Sequence, residues 1–377
     1  MFSALSQPSR FLIGLFAGLS LSWMAMRWIA PLGWTDHPRG RRQHEQPTPR
    51  TGGLALLAAL VVGQFFGAAH LPLSGAEWAM VYAMGFMGML DDRFELRARW
   101  KALAGLLAAA FLAWLTWGVL RQAGAHLPLF TWQLATHTGL ALVLLWAWYW
   151  SIPQACNLID GMNGLALGFF LMLAVSMDLP LGDSGHGAYF LGTLMALLLL
   201  NWPKGRQFLG DSGSLSLGTL FAILGVQLLA TTSPNRLLWT FAYPIVDVLL
   251  VMVIRLSNGK PLGEGDRNHF HHQWQRVLKN RPSAALGLTL LPALACMQVL
   301  QDYPGHRIVA WGGLLWLGVA GICFYLQSIR RHWELDQNFH MPPGPHLEGN
   351  VSTVAGASGG SPGLFLQDRR GDSPGSR

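Results

Sequence analysis

The chain has 377 residues, 51% of them hydrophobic and only 12% charged, with 17 Trp and a formal net charge of +7. Soluble domains carry about 25% charged residues, so this composition excludes an ordinary water-soluble globule. The positive charge does not point to nucleic acid either, because it sits in short loops between long apolar runs.

Those runs are blocks of Leu, Ala, Met and Phe without alternation. A helix needs roughly 17–25 such residues to cross a hydrocarbon core, and in lipid it satisfies its own backbone N–H and C=O groups. Barrel strands would alternate instead. The pattern predicts an all-α polytopic transmembrane helix bundle of about eleven spans. In chain order these fall at 11–29, 54–69, 78–90, 102–120, 138–152, 165–179, 189–202, 215–230, 237–254, 284–300 and 308–326. The first run is long and ends at Pro31 in a basic loop, so it reads as an anchor rather than a cleaved signal peptide. Cys156, Cys296 and Cys323 lie in or beside apolar segments, far apart and without a pairing motif, which argues against a disulfide framework or a zinc cluster.

Basic residues mark the side of each loop. One alternate set holds Arg39, Arg41, Arg42, Arg50, then Arg93, Arg97, Arg99, Lys101, then Lys204 and Arg206, Arg255, Lys260, Arg267, Arg276, Lys279, Arg281, and last Arg330 and Arg331. The other set holds only Arg10, Arg121, Arg236 and Arg307. The N-terminus is therefore expected outside and the C-terminus in the cytoplasm. Residues 1–333 form the expected transmembrane domain. From Glu334 the chain turns polar and rich in Gly, Ser and Pro, too poor in apolar area to offset its ordering entropy, so 334–377 reads as a disordered cytoplasmic tail.

Four polar motifs interrupt this pattern. Asp91-Asp92 ends the third span, Asn157-Leu-Ile-Asp160-Gly-Met-Asn163 opens the sixth, Gly210-Asp211-Ser-Gly-Ser214 opens the eighth, and Asp266-Arg267-Asn268-His269-Phe270-His271-His272 follows the ninth. All four fall on the predicted cytoplasmic side, and the first three sit at span ends, where backbone groups are free. Carboxylates brought together raise one another's pKa or demand a cation, and Mg²⁺ takes oxygen ligands while keeping waters and substrate phosphates. Helix N-termini and nearby Arg and Lys suit anions. Such a cytoplasmic cleft beside a membrane surface fits a phosphorylated lipid reacting with a phosphorylated water-soluble donor, by metal-assisted transfer.

Each motif also has a plainer reading. An Asp-Asp pair at a span end is usually a solvated cap, and Asn, Asp and Gly together are common turn residues, although the spacing of three puts Asn157, Asp160 and Asn163 on one helical face. The His cluster lacks the Cys/His partner set of a zinc site. Gly-Asp-Ser-Gly occurs at 182–185 and 210–213, but a serine nucleophile needs a base and an orienting group beside it, and the first copy is predicted outside. Asp247 lies within the ninth span, two turns from Arg255. An acid there is either a structural hydrogen-bonding group or a support for an active site. Arg27, near the end of the first span, snorkels to the interface.

The ordered set resembles the polyprenyl-phosphate N-acetylhexosamine-1-phosphate transferase family. The resemblance runs from about Asp36 to His272, through Asp36-His-Pro, His44, Pro47-Thr-Pro-Arg50-Thr-Gly-Gly53, Asp91-Asp92-Arg93 with Leu96 and Lys101, Asn157 to Gly164, Phe208-Leu-Gly-Asp211-Ser-Gly-Ser, Pro244 with Asp247 and Arg255, and Asp266 to His272. It implies a bundle of ten or eleven helices with a cytoplasmic cleft holding Mg²⁺, or Mn²⁺ in its place. The implied reaction is attack of undecaprenyl phosphate on the β-phosphate of a UDP-N-acetylhexosamine, releasing UMP and initiating a cell-envelope glycan such as O-antigen. By matching position, the resemblance assigns Asp91 to deprotonating or orienting the lipid phosphate, with Asp92 close by. It makes Asp211 and Asn157 the metal ligands, and it places Asp160 in the catalytic cleft. Lys101 and Arg267 meet phosphate charge. His269, His271 and His272 bound the donor-sugar pocket, and Asn163 and Phe208 lie near the uridine, Phe208 stacking on the uracil. Membrane lipid surrounds the bundle, and a homodimer is an assembly it allows.

Two positions depart from the family pattern. Asn163 stands where many members carry a second Asp, which bears on donor choice, and Gly105 stands where many carry Gln four residues after the Lys, removing a polar partner from the cleft. The His-Phe-His-His form resembles enzymes using UDP-GlcNAc or related deoxy-N-acetylhexosamines, whereas the peptidoglycan translocase usually shows a contiguous His triplet. A transporter would place its ionisable groups near the bilayer midplane. An inactive scaffold would be favoured only by Gly105.

Overall fold

A computed structural model describes residues 5–37, 46–68, 71–122, 126–127, 132–133, 138–177, 187–228, 234–261, 268–279, 281–298 and 304–340. Its helices are α1 (Gln7–Met24), α2 (Gly52–Phe65), α3 (Gly75–Phe94), α4 (Ala98–Gln122), α5 (Thr138–Leu158), α6 (Leu165–Ser176) and α7 (Gly187–Asn201), followed by α8 (Gly210–Leu228), α9 (Pro234–Thr240), α10 (Ala242–Ser257), α11 (Phe270–Val277), α12 (Pro282–Met297) and α13 (Pro304–His340). A π-helical stretch, Ala25–Ile29, continues α1 and contains Arg27. The chain divides into one unit over Met1–Trp333 and another over Glu334–Arg377. The expected tail lies outside the described residues from 341 onward.

Among the described residues, three stretches are long and apolar enough to cross a membrane by length and composition: Gln7–Leu32, Ala98–Gly118 and Arg307–Arg330. The helices α2, α6, α7 and α12 are apolar but shorter. Large apolar side chains face outward, with Phe65 83% and Ile308 76% exposed, and Phe16, Trp114 and Leu315 similarly open. So much apolar surface in water would drive association, and a lipid surround removes that penalty.

Two local features differ from the all-helical expectation. The ninth span is broken at Phe241 into α9 and α10. Two short antiparallel pairs also form, β1 (Thr35–Asp36) with β2 (Thr48–Pro49) and β3 (His126–Leu127) with β4 (Trp132–Gln133). Backbone N–H and C=O groups outside a helix still need partners, and these loops find them in each other.

α8 is the axis of the site. All its residues from 212 to 226 are buried, as a helix apolar on every side requires. Glycines let its neighbours approach backbone to backbone. A Cβ on Gly88 of α3 would lie 2.4 Å from the carbonyl of Asp211, and one on Gly53 of α2 would lie 2.1 Å from the backbone N of Gly213. On its other side, a Cβ on Gly218 would lie 2.7 Å from Cα of Pro153 in α5.

α3 and α8 run antiparallel. Asp91 and Asp92 meet the start of α8, while at the far end Glu77, which also forms a capping box with Ser74, accepts a 3.2 Å hydrogen bond from Gln227. The two aspartates thus sit at one end of this helix pair and Glu77 at the other. Gly88→Ala is expected to destabilise the protein by about 1–3 kcal/mol, the usual cost of overpacking, because the obstacle is backbone. Gly287→Ala, where the added methyl meets open space, is the control. Thermal unfolding in detergent, followed by Trp fluorescence, separates the two.

Candidate active site

The two adjacent aspartates at the end of α3 do different work. Asp92 accepts 2.9 Å hydrogen bonds from the backbone N–H groups of Asp211 and Ser212, and a 2.8 Å bond from Ser212 Oγ. It therefore caps α8, taking up N–H groups that have no intrahelical acceptor. Gly210, at φ 75°, makes room for it, since a Cβ there would lie 2.6 Å from Asp92 Oδ2.

Asp91 points elsewhere. Its Oδ2 lies 3.0 Å from Lys101 Nζ, which is also 3.0 Å from Asp211 Oδ2. One ammonium thus bridges carboxylates from α3 and α8. The other oxygen of Asp91, Oδ1, is buried without a partner.

α5 and the turn after it close the cluster. Asn157 donates from Nδ2 to Ser214 Oγ at 2.8 Å and lies beside Asp211. Asp160 lies beside the backbone N–H of Gly210 and faces Asp211, Asp92 and Arg50. Arg50 lies 3.1 Å from Asp36 and also faces Asp92 and Asp211. It was absent from the candidate set, and the clue to it was an arginine inside the Pro47 to Gly53 run.

Four carboxylates here face two cations, Lys101 and Arg50. Burial, then Asp211, pushes Asp92 up to about 7. The same two causes raise Asp91, with Lys101 opposing them. Burial, then Asp211 and Asp92, lifts Asp160 well above the usual carboxylate range against the pull of Arg50. Asp211, despite its burial, is held below its ordinary value by Lys101. Crowded carboxylates of this kind favour a bound proton or a further cation.

The His motif borders the cluster. Asp247 on α10 lies 2.6 Å from His269 Nδ1 through Oδ2 and accepts the Phe270 N–H at 2.7 Å through Oδ1, so it caps α11 and holds His269. His271 is fully buried with neither ring nitrogen partnered, and a Cβ on Gly161, next to Asp160, would lie 2.4 Å from its Nε2. Burial, then His272 and His269, keeps it neutral. The His269 and His271 rings stack at 5.7 Å, and His272 lies 4.1 Å from His271.

The structure therefore gathers Asp91, Asp92, Lys101, Asn157, Asp160 and Asp211, with the three histidines alongside. Asn163 lies further along the turn after α5, and Phe208 in the loop between α7 and α8. Asn163 Nδ2 donates to the Pro203 carbonyl at 3.5 Å. The backbone of Phe208 is held on both sides, donating to Pro49 at 2.8 Å and accepting from Gly52 at 3.0 Å. Arg267 and Asp266 lie outside the described residues, as do His44 and the Gly-Asp-Ser-Gly copy at 182–185.

Comparison with known proteins gives concordant matches. Residues 76–229 match the model of the family described as Glycosyl transferase family 4. The undecaprenyl-phosphate alpha-N-acetylglucosaminyl 1-phosphate transferase of Escherichia coli K12 is 26% identical over 342 residues, 86% of this chain and 91% of that protein. Its counterpart of the same name in Yersinia pestis is 27% identical over 334 residues, 84% of this chain and 90% of that protein. The decaprenyl-phosphate N-acetylglucosaminephosphotransferase of Mycobacterium tuberculosis H37Rv is 28% identical over 371 residues, 85% of this chain and 89% of that protein.

Proposed function

We propose that this chain, whose residues 76–229 match the family described as Glycosyl transferase family 4, moves N-acetylhexosamine-1-phosphate from a UDP-sugar to undecaprenyl phosphate, releasing UMP. The relatives carry the coarser part of this reading, a sugar-1-phosphate transferase acting on a polyprenyl phosphate. The observation that carries the site is the ammonium of Lys101 held between Asp91 and Asp211, with Asp91 Oδ1 buried and unpartnered.

In this reading a phosphate oxygen of the lipid attacks the β-phosphorus of the donor. The bond from that phosphorus to the bridging oxygen breaks, and UMP leaves. Asp91, its carboxyl raised toward neutrality, receives or orients the proton of the lipid phosphate. Lys101 and Arg50 neutralise phosphate charge, joined by Arg267. Asp92 serves by holding the first turn of α8, and so Asp211, in place. His269, His271 and His272 face the sugar, and Asn163 and Phe208 the uridine.

The oxygen donors of Asp211, Asn157 and Asp91 suit a small hard dication. Among the described residues no cluster of three or more His, Cys, Asp or Glu is arranged to hold a metal. Magnesium usually takes one or two carboxylates and leaves other positions to water and substrate phosphates. When bound, magnesium would supply charge neutralisation on the transferring phosphoryl group. We place about eleven crossings in the bacterial inner membrane, with the site on the cytoplasmic side and the product opening an envelope glycan. UDP-GlcNAc is the first donor to test, given the sugar named in the relatives.

Purified protein given undecaprenyl phosphate, Mg²⁺ and a panel of UDP-sugars is expected to release UMP with UDP-GlcNAc or a related N-acetylhexosamine donor, and to stop on chelation with EDTA. Folded protein that yields UMP from none of the donors would overturn the reading.

A further inference from the structure

Beyond the residues assigned above, one polar side chain at the edge of the cluster has no protein partner to explain it. Gln154 lies on α5, three residues before Asn157 and so on the same helical face. Across from it, α4 is bare, because Gly105 stands one turn beyond Lys101 on the same face of that helix. The Gln154 amide fills this gap, with Nε2 3.1 Å from where a Cβ of Gly105 would lie. That nitrogen is buried and has no hydrogen-bond acceptor, and Asp91 Oδ1, on the carboxylate paired with Lys101, has no donor.

A buried N–H without an acceptor is costly, and native structures rarely keep one without a reason. An acceptor arriving with a ligand supplies that reason, and beside an ammonium the fitting acceptor is an anionic oxygen. Two phosphates are candidates, that of the lipid and those of the sugar nucleotide. The surroundings favour the lipid. Trp150 and Trp146 lie one and two turns back along α5, stacked at 6.4 Å and each 37% exposed, and Trp150 lies 3.5 Å from where a Cβ of Gly105 would be. A phosphate at Gln154 would thus have an apolar surface directly behind it, as a phosphate joined to a hydrocarbon chain requires.

We propose that Gln154 binds the acceptor, its Nε2 donating a hydrogen bond to a phosphate oxygen of polyprenyl phosphate beside Lys101. This rests on the transferase reading for the identity of the lipid, but binding can be measured apart from turnover. Gln154→Met keeps the volume and removes the donor. It is expected to raise KM for undecaprenyl phosphate about tenfold, the scale of one lost hydrogen bond to a charged group, with KM for the UDP-sugar little changed. Gln154→Glu, which sets a carboxylate against the phosphate, should weaken it further.

The double variant Gln154→Ala with Gly105→Gln delivers an amide to the same gap from the other helix, and is expected to recover much of the lost affinity. Equilibrium binding of radiolabelled undecaprenyl phosphate to full-length protein in nanodiscs gives the same comparison without catalysis. Wild-type binding that Gln154→Met abolishes would uphold the proposal even if no donor yields UMP. Wild-type affinity for the lipid in both the Met and Glu variants would overturn it, as would a rise in KM confined to the UDP-sugar.

Discussion

Asp211→Ala is expected to lower the rate of UMP release by about three orders of magnitude, the upper range for removing one electrostatic contact from a reacting centre, while the melting temperature stays near that of the wild type. The side chain reaches Lys101 at 3.0 Å and lies beside Asn157, so its loss removes an oxygen donor from the proposed metal site and leaves the ammonium with Asp91 alone. The helix itself should persist, because Asp92 caps α8 through the backbone N–H of Asp211, which alanine retains. Turnover near the wild-type rate would remove Asp211 from the mechanism. A large fall in melting temperature would instead make it a structural residue.

The second large effect separates two neighbours that look alike. Asp91→Asn keeps size and shape, and should cost about a hundredfold or more in turnover with little change in thermal stability, since Oδ1 makes no hydrogen bond within the protein. Asp92→Ala strips three hydrogen bonds from the start of α8. It should lower stability by about 2–4 kcal/mol, the scale for buried donors left without a charged acceptor, and lose activity as a consequence. Measuring turnover and thermal unfolding on both variants decides the matter. If Asp91→Asn unfolds as readily as Asp92→Ala, the division of labour between them is wrong.

Much of the helical layout was legible before any coordinates. The starts expected at residues 138 and 165 coincide with those of α5 and α6, because a block of apolar residues in lipid has little choice but to close its own hydrogen bonds. The ends were less so. α5 continues past the apolar run through Pro153, Gln154 and Asn157 to Leu158, and those added turns carry the polar groups of the site. The break at Phe241 left no mark in hydropathy, since both sides of it are apolar. Asp247 was open between two readings, and its partners, His269 and the N–H of Phe270, lie more than twenty residues away.

The sequence by itself determined that the chain is a bundle of membrane-type helices and that its acidic, amide and imidazole groups collect at helix ends in a recognisable order. Composition and spacing are enough for that, because lipid leaves the backbone so few options. Only the tertiary structure decided which carboxylate does what. Successive residues on a helix point about 100° apart, so Asp91 and Asp92 cannot face the same neighbour, and the packing of α3 on α8 is what turns one toward Lys101 and the other to the backbone of Asp211 and Ser212. The same packing recruited Arg50 from a distant loop and set Gln154 opposite Gly105. Such long-range juxtapositions depend on how faces meet, which no local pattern of residues records.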